Sequence, residues 1–133
     1  MAKKKQSDGS PERALACINA ALEKKATKLV VLKVQEISAF ADYFIICSGN
    51  SDRQVRAIAT AIQENLKKKN ILPLGIEGEA VGSWVLLDYD DVIIHVFLES
   101  VRNFYDLERL WLESPRMEVP DETVSLKALK EGM

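Results

Sequence analysis

Two carboxylates at the end of a predicted strand are the feature of this sequence most typical of catalysis. Asp88 and Asp90 are separated by one residue, and Ser48 and Gly49 lie where another predicted strand turns into a helix. Some enzymes combine such carboxylates, which bind Mg²⁺ through oxygen, with a Gly-Ser turn that holds phosphates. Here the turn reads Ser-Gly-Asn-Ser, and Asp is common in hairpin turns for backbone reasons alone. We therefore favour a turn over a metal site.

His95 is the only histidine of the chain and is predicted to lie mid-strand between Ile94 and Val96. Its side chain should point to the opposite sheet face from theirs, because side chains alternate along a strand. A lone histidine supplies neither a set of metal ligands nor a nucleophile–base pair. We interpret it as a hydrogen-bonded histidine of the core or of an interface. Ser51 could bind an anion at a helix start, but local capping explains it more simply.

The composition is that of one globular domain. The chain has 133 residues, 47% of them hydrophobic and 7% aromatic, so the core should be mainly aliphatic. Its 18 basic and 20 acidic residues give a net charge of −2. This balance argues against broad binding to nucleic acid, which usually relies on a basic excess. A protein partner, or a larger assembly reached through a local patch, stays open.

The cysteines and the N-terminal residues favour a reducing compartment. Cys17 and Cys47 stand in apolar settings without a CxxC or Cys/His spacing, so they read as small buried hydrophobic residues. No apolar segment of the kind found in a signal peptide follows the basic start at 1–6. The longest apolar runs are far too short to span a bilayer. We expect a soluble cytoplasmic protein without metal or cofactor.

Apolar periodicity and turn residues predict the elements that position these side chains. Ser10 followed by Pro11 starts a first helix, and Ser51 with Gln54 has the capping-box spacing that starts a second. Asp90 lies in a predicted hairpin turn. The order is helix, two strands, helix, three strands and helix. The strands are predicted at 28–34, 41–48, 72–77, 83–88 and 92–98, and the third helix at 100–112.

This order predicts an α/β fold with a mixed five-stranded sheet and helices packed on its faces. The continuous apolar run at 41–48 predicts an interior strand covered on both faces. We expect a flexible arm over 1–9, one domain over 10–112 and a polar tail over 113–133. The buried side of the third helix is predicted to carry Val101, Phe104, Leu107 and Trp111.

Three stretches of the sequence together resemble one known family. They are ADYFIICSGNSDRQVRAIA at 41–59, PLGIEGEAVGSWVLLDYDDVIIHVF at 73–97 and RNFYDLERLW at 102–111. Their order and spacing resemble the ribosomal silencing factors, also called Iojap or RsfS proteins. Asp90 is a departure, because the family often has Gly in this hairpin turn. Asp tolerates a left-handed turn conformation, so the departure changes little.

The resemblance implies a regulatory function without catalysis. Such proteins bind large-subunit ribosomal protein fourteen at the face where the small subunit docks. They thereby block association of the subunits and repress translation, especially under nutrient limitation. Their fold is similar to that of nucleotidyltransferases but lacks the chemistry, which would account for the spacing of Asp88 and Asp90. Family members often form homodimers off the ribosome, and the resemblance implies no membrane and no sequence-specific nucleic acid.

A partner surface can be predicted on this basis. The face of ribosomal protein fourteen is expected to be basic, so a complementary surface should be acidic with an aromatic anchor. Trp84 could instead be a core residue, and the helix positions could be a solvated face. The predicted partner-binding residues are Glu77, Trp84, Asp88, Tyr105 and Glu108.

Two other functions stay open at this point. A nucleotidyltransferase-like enzyme would use Asp88 and Asp90 for Mg²⁺-dependent nucleotide binding. An RNA-binding assembly factor would use the lysines at 67–69 and the basic arm at 1–9, and its binding would depend steeply on salt. The charge balance of the chain favours the protein-binding interpretation over both.

Overall fold

The apolar runs of the chain form a mixed sheet in the computed structural model, which describes residues 9–35, 38, 41–111, 114–119 and 129. Within these residues the sheet has six strands in the order β3-β4-β5-β2-β1-β6. The elements, in chain order, are α1 (Ser10–Glu23), β1 (Thr27–Lys33), β2 (Tyr43–Gly49), α2 (Asp52–Lys67), β3 (Gly75–Glu77), β4 (Trp84–Asp88), β5 (Val92–Leu98), α3 (Glu99–Tyr105), a 3₁₀ helix (Leu107–Trp111) and β6 (Arg116–Val119).

The centre of the sheet is one parallel pair. β2 runs parallel to β5 from Tyr43↔Val92 to Gly49↔Leu98, while the β1–β2, β1–β6, β3–β4 and β4–β5 pairs are antiparallel. β2 is buried at almost every position, as its unbroken apolar sequence predicts for an interior strand. The predicted α/β fold with a mixed sheet is therefore confirmed.

The two faces of the sheet are covered unequally. Helices α1 and α2 pack on one face, where the core includes Ile18, Ile45, Ile62 and Ile94. On the other face a smaller cluster includes buried Phe97 and receives Val101 of α3 and Leu107 of the 3₁₀ helix. Both cysteines are free and buried in the first layer, as predicted. Among the described residues, the second face is therefore covered less than the first.

The start of α2 follows from its sequence. The hydroxyl of Ser51 accepts the backbone N–H of Gln54 at 3.1 Å, so the predicted cap is confirmed. The side chain of Gln54 accepts the N–H of Asn50 at 2.7 Å, one residue before the cap. These bonds satisfy backbone donors that would otherwise lack an intrahelical partner.

The prediction of five strands was wrong by one. β6 lies in the segment predicted as a polar tail, and it pairs with β1 from Leu29↔Val119 to Leu32↔Arg116. It is a short edge strand with alternating exposure, so its sequence lacks the apolar run that marks the interior strands. Residues 1–8 of the arm predicted at 1–9, and most of the tail predicted at 113–133, lie outside the described residues.

The third helix is shorter than predicted. α3 ends at Tyr105 because Asp106 takes a left-handed conformation, with φ 46° and ψ 50°. Phe104, which we predicted on the buried side, is 81% exposed. The side chain of Trp111, which we expected in the core, lies outside the described part of the chain. None of the described helices is long and apolar enough to cross a membrane.

Candidate functional site

Aromatic rings from β4, β5 and α3 meet on the second face of the sheet. The ring of Trp84 lies against Phe97 on β5, with centroids 4.8 Å apart, and against Tyr105 of α3 at 5.1 Å. Phe104 then meets Tyr105 edge to face at 5.2 Å. Tyr105 is 55% exposed. A large apolar area at the surface of a small domain is typical of a binding site for another molecule.

The register of the strands brings further side chains to this face. Directly paired residues share a face of the sheet, and Glu77, Leu86 and His95 are paired in a row across β3, β4 and β5. A second row contains Asp88, Ile93 and Phe44. We call this open part of the second face, with the end of α3, the aromatic surface; its residues are Phe44, Trp84, Leu86, Ile93, His95, Phe104 and Tyr105.

A cavity opens within the aromatic surface. It has a volume of about 290 Å³ and is lined by Ser83, Trp84, Ser100, Val101, Phe104 and Tyr105. Three of these six residues are aromatic and two are serines. Such a shape suits the insertion of one side chain from a partner, because aromatic walls bury much area with few rotatable bonds.

His95 lies inside the aromatic surface and is 7% exposed. The indole N–H of Trp84 donates to its Nδ1 at 3.0 Å. Burial lowers the pKa of His95 to about 4, so the ring is neutral at pH 7. Because Nδ1 accepts, the single proton of the neutral ring is on Nε2. The prediction that His95 is hydrogen-bonded is confirmed. Its partner is Trp84, the residue predicted as the aromatic anchor.

Four of the five predicted partner-binding residues come together here. Trp84 and Tyr105 are in contact, and the register places Glu77 and Asp88 on the same side of the sheet. Glu77 is exposed and Asp88 is partly buried. The surface therefore carries aromatic groups in its centre and two carboxylates on β3 and β4.

Glu108 is placed differently from the other four. Its carboxylate lies between the guanidinium groups of Arg102 and Arg116, each at 2.9 Å, and its side chain is only 15% exposed. Arg102 is 6% exposed and also donates to the backbone carbonyl of Lys28 and to the hydroxyl of Ser48. Sequence reasoning missed Arg102, for which the only local signal is an arginine within an amphipathic helix.

The carboxylates that resembled a metal site belong to a turn. Asp90 has φ 73°, and its N–H donates to the side chain of Asp88 at 2.8 Å. Ser48 pairs with Phe97, whereas Asp88 pairs with Ile93, four residues earlier on β5. This places them about 13 Å apart along the strand. The backbone of Asp90 and its bond to Asp88 confirm the predicted turn. Among the described residues, no group of three His, Cys, Asp or Glu is suited to a metal.

The lysines at the end of α2 lie on the other side of the molecule. Lys67, Lys68 and Lys69 are all exposed, and α2 packs on the sheet face opposite to the aromatic surface. They are therefore solvated charges at a helix end, where a positive charge interacts favourably with the helix dipole.

Residues 7–132 match the family model described as ribosomal silencing factor during starvation. The chain belongs to the ribosomal silencing factor family. A ribosomal silencing factor RsfS from Halalkalibacterium halodurans is 41% identical over 102 residues, which are 77% of this chain and 87% of the relative. One from Bacillus subtilis is 43% identical over 93 residues, which cover 70% and 79% of the two chains.

A solved structure has the same fold. A crystal structure of a protein from Bacillus halodurans matches with a TM-score of 0.73 and 39% identity, covering 81% of this chain and 98% of that one. The family model and the two relatives confirm the resemblance seen in the sequence. As a ribosomal silencing factor, the protein belongs to a group that regulates translation in association with the ribosome.

Proposed function

We propose that this ribosomal silencing factor binds large-subunit ribosomal protein fourteen through its aromatic surface, and so prevents the small subunit from joining. Translation would fall as a result, especially when nutrients are limiting. The observation that carries the proposal is the contact between Trp84 and Tyr105 at 5.1 Å, next to Phe104, which is 81% exposed. Membership of the family supports the ribosome as the target.

The chemistry of the aromatic surface supports a protein partner. Trp and Tyr are over-represented among residues that dominate binding energy, because they bury a large area in few rotamers and keep a polar group at one end. Trp84 is partly buried and supported from below by Phe97, so little ordering would be needed when a partner binds. A preset surface keeps more of its interaction energy as affinity.

The charge at the edge of this surface favours a basic partner. Glu77 and Asp88, two acidic residues, share the face with Trp84. Complementary charge speeds the encounter and selects the orientation of docking. Glu108 would contribute indirectly, since its carboxylate is held between two arginines.

The remaining parts of the proposal concern the state of the protein. It would act in the cytoplasm, without catalysis and without a cofactor, and it could form a homodimer when it is off the ribosome. A homodimer that used the aromatic surface would compete with the ribosome, because one surface cannot hold both partners. Analytical ultracentrifugation of the free protein and of the Tyr105→Ala variant would test this point.

The proposal is tested by sedimentation of ribosomal subunits through a sucrose gradient. With the protein present, we expect it to migrate with the large subunit and the joined ribosomes to decrease. Tyr105→Ala should abolish both effects with little loss of stability, because the side chain is 55% exposed. Leu72→Ala is a matched control, since Leu72 is 68% exposed but lies outside the aromatic surface. Normal joining of subunits in the presence of the wild-type protein would overturn the proposal.

A further inference from the structure

The indole N–H of Trp84 needs a hydrogen-bond acceptor, because the side chain is partly buried. An indole has one N–H and no acceptor, and the N–H of Trp84 donates to Nδ1 of His95 at 3.0 Å. If that acceptor were absent, the N–H would need water. A docking partner would expel such water, which would leave a buried donor unsatisfied.

The ring of His95 is itself fixed by its neighbours. It stacks on Phe97 with an interplanar angle of 14° and a centroid distance of 6.1 Å. Phe44 meets it edge-on at 6.0 Å. Both contacts come from adjacent positions of the sheet, since Phe97 follows two residues later on β5 and Phe44 lies on the paired strand β2. The acceptor atom is therefore carried by rigid strands rather than by a loop.

Trp84 is in turn linked to the exposed end of α3. Its ring contacts Phe97 at 4.8 Å and Tyr105 at 5.1 Å. Three contacts define its orientation: Phe97 supports one side of the ring, Tyr105 limits its outward movement, and His95 fixes the rotation of the indole through its N–H. A rotated indole would reshape the cavity that Trp84 lines with Tyr105.

We propose that His95 is a positioning residue of the aromatic surface: its neutral Nδ1 fixes the indole of Trp84 in the orientation that the ribosomal partner binds. This inference rests on the proposed function. It assigns to the only histidine of the chain a role in affinity that acts through Trp84. Because the indole of Trp84 is already oriented, little free energy is lost in ordering it when the partner binds.

Three variants separate this role from simple packing. His95→Phe keeps an aromatic ring but removes the acceptor, whereas His95→Asn can offer its amide oxygen near the place of Nδ1. Trp84→Phe removes the donor. Val96→Ala is the control for lost stability, because Val96 is buried on the opposite face of the same strand. Thermal unfolding of each variant establishes that it is folded before binding is measured.

The free protein gives a readout that needs no partner. In a ¹H–¹⁵N spectrum the indole signal of Trp84, identified by its loss in Trp84→Phe, should be protected from exchange with water in the wild type. His95→Phe should move this signal and speed its exchange about tenfold or more, while His95→Asn should retain most of the protection. An unchanged signal in His95→Phe would overturn the inference.

The affinity for isolated large subunits gives the second readout. We expect His95→Phe to weaken binding about tenfold, which is the size of effect that an unsatisfied donor produces, and His95→Asn to weaken it by much less. In the Trp84→Phe background, His95→Phe should change affinity by less than about twofold. The positioning role alone would be overturned by any of three results. His95→Phe could bind with wild-type affinity, Val96→Ala could lose as much affinity as His95→Phe, or His95→Phe could lose its full tenfold affinity in the Trp84→Phe background. Absence of binding by the wild-type protein would overturn the proposed function as well.

Discussion

The guanidinium of Arg102 lies against the carboxylate of Glu108, with Nε 2.9 Å from the nearer oxygen, and the two side chains are 8% and 15% exposed. The same carboxylate accepts Arg116 from β6 at 2.9 Å. Arg102 also reaches the carbonyl of Lys28 on β1 and the hydroxyl of Ser48 on β2. One buried cation thus joins α3, the 3₁₀ helix and the sheet.

Replacing Arg102 should be among the most damaging single changes to this fold. Arg102→Ala removes the donor to the buried hydroxyl of Ser48 and leaves the carboxylate of Glu108 with Arg116 alone. Removing one partner of a buried ion pair typically costs about 3–5 kcal/mol, and we expect the free energy of unfolding to fall by about 3 kcal/mol. Urea denaturation measures it, with Arg109→Ala at an exposed site as the control. A loss below about 1 kcal/mol would show that the network contributes little.

Several elements of this fold could be predicted from local patterns in the sequence. An unbroken apolar run predicts an interior strand such as β2. The capping-box spacing of Ser51 and Gln54 predicts the start of α2. The two-residue period also places Trp84 and Asp88 on one face of β4. These features depend on residues close in the chain, so local patterns were sufficient.

Features that depend on distant contacts were not predictable in the same way. β6 has the polar sequence Arg-Met-Glu-Val and becomes a strand because the edge of β1 is available to it. The end of α3 at Asp106 is a local feature, but its left-handed conformation has only a weak signal in the sequence, because few residues with a side chain adopt it. The hydrogen bonds of Arg102 to Lys28 and Ser48 join residues far apart in the sequence, and the ion pair of Arg102 with Glu108 holds that carboxylate against the sheet.

Stability should fall on acidification through the protonation of His95. Burial lowers the pKa of His95 from 6.5 to about 4, so between these values the unfolded chain binds a proton that the folded chain does not. The free energy of unfolding therefore decreases as pH falls through this window, by up to about 3 kcal/mol. Above pH 6.5, His95 is neutral in both the folded and the unfolded chain, and no stability is lost through its protonation.

Urea denaturation between pH 4 and 8 tests this expectation. Carboxylates also titrate near the acid end, so the informative quantity is the difference between the wild type and His95→Phe at each pH. The free energy of unfolding of the wild type minus that of His95→Phe should decrease as the pH falls from 7 to 4. Only the wild type has an imidazole that takes up a proton on unfolding. Parallel pH profiles for the two proteins would contradict the assignment.

The two thiols should be inert in the folded protein. Cys17 and Cys47 are both 0% exposed, and burial raises the pKa of both, that of Cys47 to about 12. Reaction with a thiol reagent requires access and the thiolate form. We expect no labelling by dithionitrobenzoate at pH 8 under native conditions and two equivalents in denaturant, in accord with two cysteines per chain. Rapid native labelling would show that the first layer of the core opens readily.

The segment formed by β3 and the loop before Trp84 should tolerate a side chain at one glycine and not at another. Gly78 has φ 86°, and a Cβ there would lie 2.0 Å from the carbonyl oxygen of Trp84. Gly78→Ala must therefore move the backbone that carries the indole. We expect it to cost about 3 kcal/mol, since strain and overpacking add, and to weaken binding to the large subunit.

Gly75 on β3 is the matched control for this change. A Cβ at Gly75 would meet no atom within 4 Å, so Gly75→Ala should alter the free energy of unfolding by less than about 1 kcal/mol. Urea denaturation and sedimentation with large subunits measure both variants side by side. If Gly78→Ala lost stability but kept full affinity, the partner would not depend on the position of Trp84. Equal behaviour of the two variants would mean that the loop adapts to the added methyl group.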